Sequence, residues 1–325
     1  MLKITEPGIY DCSDDAYQSD PCEQISLRSS TAWKLVDPKS TPAHAAWECP
    51  RLNPHYAHEE KRYFNIGSAC HALLFGRGKI IVPIDGYDYN RNEDGGLKAG
   101  DKREIRDLAY SEGKIPLLIP ELKQVQAMRD NAVSTIEQMI EAGTIERNPF
   151  SPELSEKVIV WRDKRTGVLC RAAMDGLCLD TDALAEYKTD GQGASPDAFQ
   201  WKARKLGYFF RLAFYRRGLE ALGLSNSPTI RMFAQETFPP YLMALYTVDD
   251  ELIAAEDEKV SRAMATWKKC LVSGFPGYDV EGYDAGLRES ELQKLAIAEP
   301  KAEHVPSEHM EGYQSVGDML KARVK

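Results

Sequence analysis

The sequence predicts an α/β fold, because segments with the periodicity of strands and of helices alternate along it. Residues 169–179 and 183–188 are rich in strand-forming side chains and flank the turn signal Asp180-Thr181-Asp182, a combination typical of a β-hairpin. Apolar residues recur at helical spacing across 121–142. The other predicted elements are strands at 157–161, 229–236 and 241–248, and helices at 195–222 and 249–272.

The predicted hairpin would bring two carboxylates and an ammonium together. If the turn is centred on 180–181, Asp175 faces Glu186, and opposed residues of neighbouring strands have Cβ atoms about 5 Å apart. Side chains alternate along a strand, so Lys188 shares a face with Glu186. Two carboxylates this close repel unless a cation lies between them, and Mg²⁺ favours carboxylate oxygens. The alternative is an ordinary solvated strand face on which an acid and a lysine pair.

A short apolar helix is predicted around His71. Its buried stripe follows the i, i+3, i+4, i+7, i+8 pattern and comprises Ile66, Ala69, Cys70, Leu73 and Leu74. His71 lies beside this stripe, so its ring can reach a polar site at the edge of the packing surface. The alternative is a structural histidine with no part in chemistry.

A basic, aromatic-rich segment follows the hairpin. Residues 199–218 contain six basic residues and no acidic one. Tyr208, Arg211 and Tyr215 fall on one helical face. Basic and aromatic side chains in alternation suit a phosphate-rich polymer. An ordinary amphipathic helix with a charged outer face is the alternative.

Taken together, these motifs resemble the PD-(D/E)xK nucleases, and more narrowly the phage and prophage exonucleases of the exonuclease VIII (RecE-type) group. The resemblance spans about 7–280 and is weak over 76–150. The matching motifs are Pro7-Gly-Ile-Tyr10, Asp15 to Pro21, Ile25 to Ser30, Thr41 to His44, Gly67-x3-His71-x2-Leu74, Thr166-Gly167, Arg171-x3-Asp175-Gly176, Glu186-Tyr-Lys188-Thr189, Ala194-Ser195-Pro196 and Tyr208-x4-Ala213-Phe214-Tyr215.

The resemblance implies a restriction-endonuclease-like core, with a mixed central sheet flanked by helices. It assigns His71, Asp175, Glu186 and the backbone carbonyl of Tyr187 as ligands of Mg²⁺, with Mn²⁺ as a possible substitute. Lys188 would orient the attacking water and stabilise negative charge, so that Asp175, Glu186 and Lys188 form the catalytic set. Phosphodiester hydrolysis needs these components: a cation at the phosphate, an activated water and positive charge where negative charge builds.

The implied activity is an exonuclease that degrades linear double-stranded DNA, 5′ to 3′, and leaves 3′ overhangs for recombination. Double-stranded DNA ends, a single-strand annealing protein of the RecT type and further copies of the chain in a ring are the implied partners. Two alternatives stay open: a single-strand or endonucleolytic enzyme of the same fold, and a non-catalytic protein that binds DNA ends.

The chain departs from the family pattern near the site. Arg211 stands where the family has a glutamine that contacts the site, which adds a positive charge. Met174 and Ala173 stand where the family has a proline and an arginine before the hairpin aspartate. No implied metal ligand is lost.

DNA contacts are predicted from two parts of the chain. Lys205, Tyr208 and Arg211 belong to the basic segment. Arg28, Ser29 and Ser30 precede an apolar run and indicate a helix N-terminus, where free N–H groups bind phosphate. In related phage exonucleases a similar helix start holds the 5′-phosphate, whereas an ordinary N-cap is the alternative here. Glu156, just before a predicted strand, is a further candidate acid.

The predicted organisation is a nuclease domain over 1–285, with an N-terminal helical portion and an insertion around 76–120, followed by a polar tail at 286–325. Residues 85–104 are predicted to form an exposed loop. The net charge of −9 is concentrated near the end, since the residues from 249 onward include sixteen acidic and ten basic ones. A cleft can stay locally positive under such a balance.

Seven scattered cysteines without C-x2-C spacing argue against a disulfide framework or a zinc site. Cys12, Cys22, Cys49 and Cys270 lack the clustering that an iron–sulfur cluster needs. No apolar run approaches the roughly 20 residues of a membrane span, and no signal-peptide core is evident. We therefore expect a protein of the bacterial cytoplasm, encoded by a phage or prophage, with no membrane partner.

Overall fold

The computed structural model describes residues 3–56 and 65–279. Its strands are β1 (Gly8–Tyr10), β2 (Leu27–Arg28), β3 (Ile81–Ile84), β4 (Ile115–Leu118), β5 (Ser155–Arg162), β6 (Leu169–Cys178), β7 (Ala183–Asp190), β8 (Thr229–Glu236) and β9 (Met243–Thr247). Its helices are α1 (Asp14–Gln18), α2 (Ser29–Lys34), α3 (Pro42–Trp47), α4 (Asn65–Phe75), α5 (Ala99–Ser111), α6 (Ile119–Glu141), α7 (Pro196–Lys205), α8 (Tyr208–Leu222) and α9 (Asp250–Ser273).

A seven-stranded mixed sheet forms the centre of the fold. Its strand order is β1-β5-β6-β7-β8-β9, and β2 also pairs with β6. The β2–β6 and β7–β8 pairs are parallel, and the other pairs of this sheet are antiparallel. Strands β3 and β4 form a separate two-stranded parallel sheet. Helices flank the central sheet, so the predicted α/β fold with a mixed sheet is confirmed.

Helices cover both faces of the sheet. One apolar cluster joins α2, α8 and α9 to the sheet and includes Trp161, Phe210 and Trp267. The other joins α4 and α6 to the opposite face and includes Phe75, Phe150 and Tyr187. A Cβ at Gly218 would lie 2.5 Å from Cδ1 of Ile159 and 2.9 Å from the Trp161 ring. Glycine at this position therefore permits α8 to lie close to β5, because protein cores leave no room for an added atom.

The predicted hairpin register is confirmed. Leu177 pairs with Leu184, as a turn centred on 180–181 requires, and the ladder reaches Gly176 opposite Ala185. The second strand runs to Asp190, two residues beyond its predicted end. The strand predicted at 229–236 has those bounds, and the helices predicted at 121–142 and 249–272 match α6 and α9 within two residues.

The prediction of an exposed loop over 85–104 is wrong in its last third, because α5 begins at Ala99. Lys102 on this helix is fully buried, and its ammonium lies 2.9 Å from a carboxylate oxygen of Glu93. The same oxygen accepts the backbone N–H of Tyr87 at 2.7 Å. This buried ion pair ties α5 to the preceding loop, and neither residue belongs to an apolar period that could predict it.

The compact unit that the structure describes lies within residues 1–277. The predicted tail at 286–325 lies outside the described residues. The predicted insertion around 76–120 contains β3, α5 and β4. Among the described residues, no helix is long and apolar enough to span a membrane.

Candidate active site

The central sheet divides at Asp175. Strand β6 pairs with β7 only through 176–178, whereas its residues Cys170 and Arg171 pair with β2 along the same edge. Strand β7 continues beside β8 as far as Asp190. Strands β6 and β7 therefore diverge at Asp175, and the side chains at this point face an opening in the sheet rather than a continuous ladder.

Asp175, Glu186 and Lys188 converge at this opening. Nζ of Lys188 lies 2.6 Å from Oε1 of Glu186 and 3.2 Å from Oδ2 of Asp175. The ammonium also donates to the backbone carbonyl of Tyr187 at 2.9 Å, and Oδ2 of Asp175 accepts the Tyr187 N–H at 2.8 Å. Glu186 is only 2% exposed. The structure thus brings the predicted catalytic set together, with the ammonium between the two carboxylates.

The protonation of this cluster is set by burial and by its own charges. Burial raises the pKa of Glu186, and the neighbouring Asp175 carboxylate raises it further. Burial would also raise the pKa of Asp175, but Lys188 and His71 lower it more strongly, so the net shift is downward. Burial lowers the pKa of Lys188, whereas the two carboxylates raise it, and the net shift is upward. Of the two carboxylates, Glu186 is therefore the one that accepts a proton more readily.

His71 reaches the cluster from α4. Its Nε2 lies 3.2 Å from Oδ1 of Asp175, and its Nδ1 lies 3.4 Å from Oε1 of Glu156. Burial lowers the pKa of His71, but Asp175 and Glu156 outweigh this effect and raise it to about 9. The ring also packs on Phe75, with 3.8 Å between ring centroids. The interpretation of His71 as a ring that extends from the edge of an apolar stripe agrees with this placement.

Arg211 and Tyr208 extend from α8 to the same cluster. Nη1 of Arg211 lies 3.5 Å from Oε1 of Glu186. The Tyr208 ring centroid is 5.7 Å from Cζ of Arg211 and 5.9 Å from Nζ of Lys188. Tyr215, one turn further along the predicted face, is buried. Arg211 thus adds a second positive charge beside Glu186.

The donor atoms suit a hard divalent cation. Oε2 of Glu186 is buried and has no hydrogen-bond partner, which is the state expected of an oxygen that completes its coordination with a metal ion. Asp175 belongs to the same cluster through Lys188, His71 contacts Asp175, and the Tyr187 carbonyl faces the Lys188 ammonium. In the described part of the chain, no three or more His, Cys, Asp or Glu side chains are already arranged around one ion position. A cation would therefore require Lys188 to move from between the carboxylates.

The predicted DNA contacts at the start of α2 lie beside β6. Arg28 is opposite Arg171 in the β2–β6 pair, so this segment occupies the edge of β6 next to the opening. The Arg28 guanidinium donates to Gln18, to Oγ1 of Thr31 and to the backbone carbonyl of Glu48. Ser29 is buried and Ser30 is half-buried. The segment is near the site, although the Arg28 side chain is held by contacts within the protein.

The basic segment divides into inward-facing and outward-facing parts. Besides Arg211, which pairs with Glu186, three of its basic side chains form ion pairs within the fold: Lys202 with Asp190, Arg216 with Glu220 and Asp250, and Arg217 with Asp163 and Asp257. The amphipathic-helix interpretation holds for these three. Lys205 is exposed, and its ammonium lies 4.5 Å from the ring centroid of the exposed Trp201.

A polar network behind the site has no sequence signal that could have predicted it. The Tyr187 hydroxyl hydrogen-bonds to Oε1 of Gln235 and lies 3.1 Å from Sγ of Cys70. Gln235 is fully buried on β8 and donates to the backbone carbonyls of Met128 and Tyr241. This network fixes Tyr187 and hence the orientation of Glu186 and Lys188, which flank it. Its members come from four distant parts of the chain.

Comparison with solved structures relates this fold to known proteins. A candidate exonuclease from Eubacterium rectale superposes with a TM-score of 0.54 over 96% of this chain and 98% of its own, at 11% sequence identity. A phage-related exonuclease from Haemophilus somnus gives a TM-score of 0.31 at 12% identity, over 77% of this chain and 97% of its own. No family model and no curated protein sequence matches the chain. The chain therefore shares its overall fold with the protein from E. rectale.

Proposed function

We propose that the protein is a Mg²⁺-dependent exodeoxyribonuclease that degrades linear double-stranded DNA from the 5′ end and leaves 3′ overhangs. The observation that carries this proposal is the convergence of Asp175, Glu186 and Lys188 at the opening of the sheet, with a buried, unpartnered oxygen on Glu186. The fold shared with a candidate exonuclease supports it. Polarity, the 3′ overhang and a role in recombination rest on the family resemblance.

In this proposal, His71, Asp175, Glu186 and the Tyr187 carbonyl hold the cation, which supplies Lewis-acid polarisation of the scissile phosphate when bound. Lys188 would supply an ammonium beside the held cation, and a positive group there stabilises the negative charge that builds on the phosphate. The chain's own groups also fix the site in place, because the Tyr187 N–H holds Asp175 at 2.8 Å.

The proposed substrate is a DNA end. Tyr208 and Arg211 provide an aromatic and a basic group at the site, the exposed Lys205 precedes them at the end of α7, and the segment Arg28 to Ser30 lies along the edge of β6. By family resemblance we also propose a ring of identical subunits that acts with a single-strand annealing protein. In a ring, the basic groups around the site would face the duplex while the acidic residues of the chain face outward.

The first test uses linear duplex DNA labelled at the 5′ or the 3′ end, with Mg²⁺, with Mn²⁺ and with chelator, beside a circular duplex of equal length. We expect the 5′ label to be released as mononucleotide with metal, and the circular DNA to remain intact. Cleavage of the circle would favour the endonucleolytic alternative. Binding of DNA ends without degradation in either metal would contradict the proposal. It would favour a non-catalytic protein that binds DNA ends. The added positive charge of Arg211 beside Glu186 is the observation that supports this alternative.

Exchanging Arg211 for glutamine is expected to increase the affinity for Mn²⁺ by about tenfold, because the guanidinium lies 3.5 Å from the Glu186 carboxylate and its positive charge would repel a divalent cation held by that carboxylate. Titration of metal-free protein, followed by the electron spin resonance of unbound Mn²⁺, measures this change. Arg204→Gln is the matched control, since Arg204 is exposed and packs over Phe209 rather than beside Glu186. Unchanged affinity in Arg211→Gln would show that the guanidinium does not oppose the cation.

A further inference from the structure

Glu156 has a backbone conformation that glutamate rarely adopts. Its φ is +51°, in the left-handed region, although it lies within β5. Left-handed backbone is unfavourable for residues with a Cβ atom, and asparagine, aspartate and glycine are the usual exceptions. Such strain persists where the surrounding structure enforces it, and it is concentrated at functional sites.

The strand register places Glu156 opposite Asp175. Ser155 pairs with Gly176 and Lys157 pairs with Met174. Glu156 on β5 therefore takes the register position opposite Asp175 on β6. This is the same position at which β6 separates from β7. The left-handed backbone conformation of Glu156 thus occurs at the edge of the opening, opposite Asp175.

The Glu156 side chain contacts one nitrogen of the His71 ring, and Asp175 contacts the other. Oε1 of Glu156 lies 3.4 Å from Nδ1, and Oδ1 of Asp175 lies 3.2 Å from Nε2. The Phe75 ring packs beside the imidazole, tilted by 50°. The imidazole is therefore fixed by a carboxylate at each nitrogen and by an aromatic ring at its side. Nδ1 is the nitrogen that faces away from Asp175.

We propose that Glu156 is a positioning residue: its carboxylate accepts a hydrogen bond from Nδ1–H of His71 and so orients Nε2 towards Asp175, where the cation would be held. A carboxylate behind a ligating histidine fixes its tautomer and makes it a stronger ligand. The left-handed backbone at Glu156 accompanies this contact with the ring. This inference rests on the proposed function and assigns Glu156 a role through His71, rather than as a direct ligand.

The test compares Mn²⁺ binding by Glu156→Gly and Glu156→Gln with wild type, without DNA. Glycine adopts a positive φ freely, so we expect Glu156→Gly to keep the wild-type melting temperature or exceed it while Mn²⁺ binds about 10- to 100-fold more weakly. Glutamine still offers an oxygen to Nδ1–H, and Glu156→Gln is expected to bind within a few-fold of wild type. Glu153→Gln is the matched control, since Glu153 is an exposed acid that hydrogen-bonds to Ser151.

A double-mutant cycle with His71→Ala separates positioning from direct ligation. If Glu156 acts through His71, adding Glu156→Gly to His71→Ala causes no further loss of affinity. A further loss in that background, or a loss in Glu156→Gln as large as in Glu156→Gly, would overturn the positioning role in favour of direct ligation. Wild-type affinity in Glu156→Gly would overturn any role in metal binding. Wild type that binds no Mn²⁺ would overturn the proposed metal-dependent function together with this inference.

Discussion

Replacing Lys188 by methionine is expected to lower the rate of DNA hydrolysis by about 10²- to 10³-fold, which is the usual cost of removing one charge-stabilising group. The reason is that the ammonium belongs to the cluster, 2.6 Å from Glu186 and 3.2 Å from Asp175, beside which the phosphate is proposed to bind. Methionine retains the length and apolar stem of the side chain but supplies no positive charge. Single-turnover hydrolysis of an end-labelled duplex measures the loss.

The fold should tolerate this change. Glu186 is buried, but Arg211 remains 3.5 Å away, and burial already raises the Glu186 pKa, so the carboxylate can take up a proton when Lys188 is lost. We therefore expect the variant to remain folded by circular dichroism and to bind DNA in the presence of chelator with nearly unchanged affinity. If the DNA affinity of the variant fell by the same factor as its hydrolysis rate, Lys188 would contribute to substrate binding in the ground state and not to catalysis.

Lys157→Met is the matched control. Lys157 lies on β5 and pairs with Asp11 at 3.0 Å, so the exchange removes an ion-paired lysine of similar exposure from a strand of the same sheet. Its loss should change the rate by less than about twofold, because a partly exposed ion pair contributes about 0–1 kcal/mol to stability and this pair lies outside the cluster. Equal losses in the two variants would contradict a specific role for Lys188.

The core of the candidate site could be predicted from the sequence because it is local. A turn signal and a strict alternation of side chains fix the register of a hairpin, and the register fixes which residues share a face. Asp175, Glu186 and Lys188 lie within fourteen residues, so one correctly placed turn brings all three together. The fold class follows from the same periodicities over longer segments.

The features that could not be predicted depend on contacts between distant segments. Strand β2 has two residues, too few for any periodicity, yet it occupies the edge of β6 and so helps to create the opening at Asp175. The left-handed backbone at Glu156 could not be predicted from the sequence, because glutamate normally avoids this conformation. The first turn of α5 contains Gly100 and charged residues, and this composition is typical of a loop. In each case tertiary contacts outweigh local preference.

Replacing Arg171 by methionine is expected to destabilise the protein by about 3–5 kcal/mol, because removing one partner of a buried ion pair leaves the other charge uncompensated. Arg171 on β6 and Asp20 are 1% and 0% exposed at their side chains, and the two charges lie 3.3 Å apart. The guanidinium also donates to the backbone carbonyls of Tyr17 and Ser26. Chemical denaturation followed by circular dichroism measures the change in the free energy of unfolding.

This ion pair matters for the site because it holds the N-terminal segment against the sheet. Asp20 has a φ of +62° and accepts hydrogen bonds from Ser26 and from the Cys22 N–H, so the segment closes around its carboxylate. The segment leads directly into β2, which pairs with Arg171 itself. Loss of the guanidinium should therefore loosen β2 and α2, and DNA-end affinity should fall together with stability.

The double variant Asp20→Asn, Arg171→Met identifies the cause. If the uncompensated Asp20 charge produces most of the destabilisation, the double variant is more stable than Arg171→Met alone, and the two effects are not additive. Arg162→Met serves as the control for the loss of an arginine, since Arg162 is exposed at the end of β5. A double variant less stable than either single variant would instead assign the loss to the hydrogen bonds of the guanidinium. In that case the bonds to Tyr17 and Ser26, rather than the ion pair, would be what keeps β2 at the edge of the candidate site.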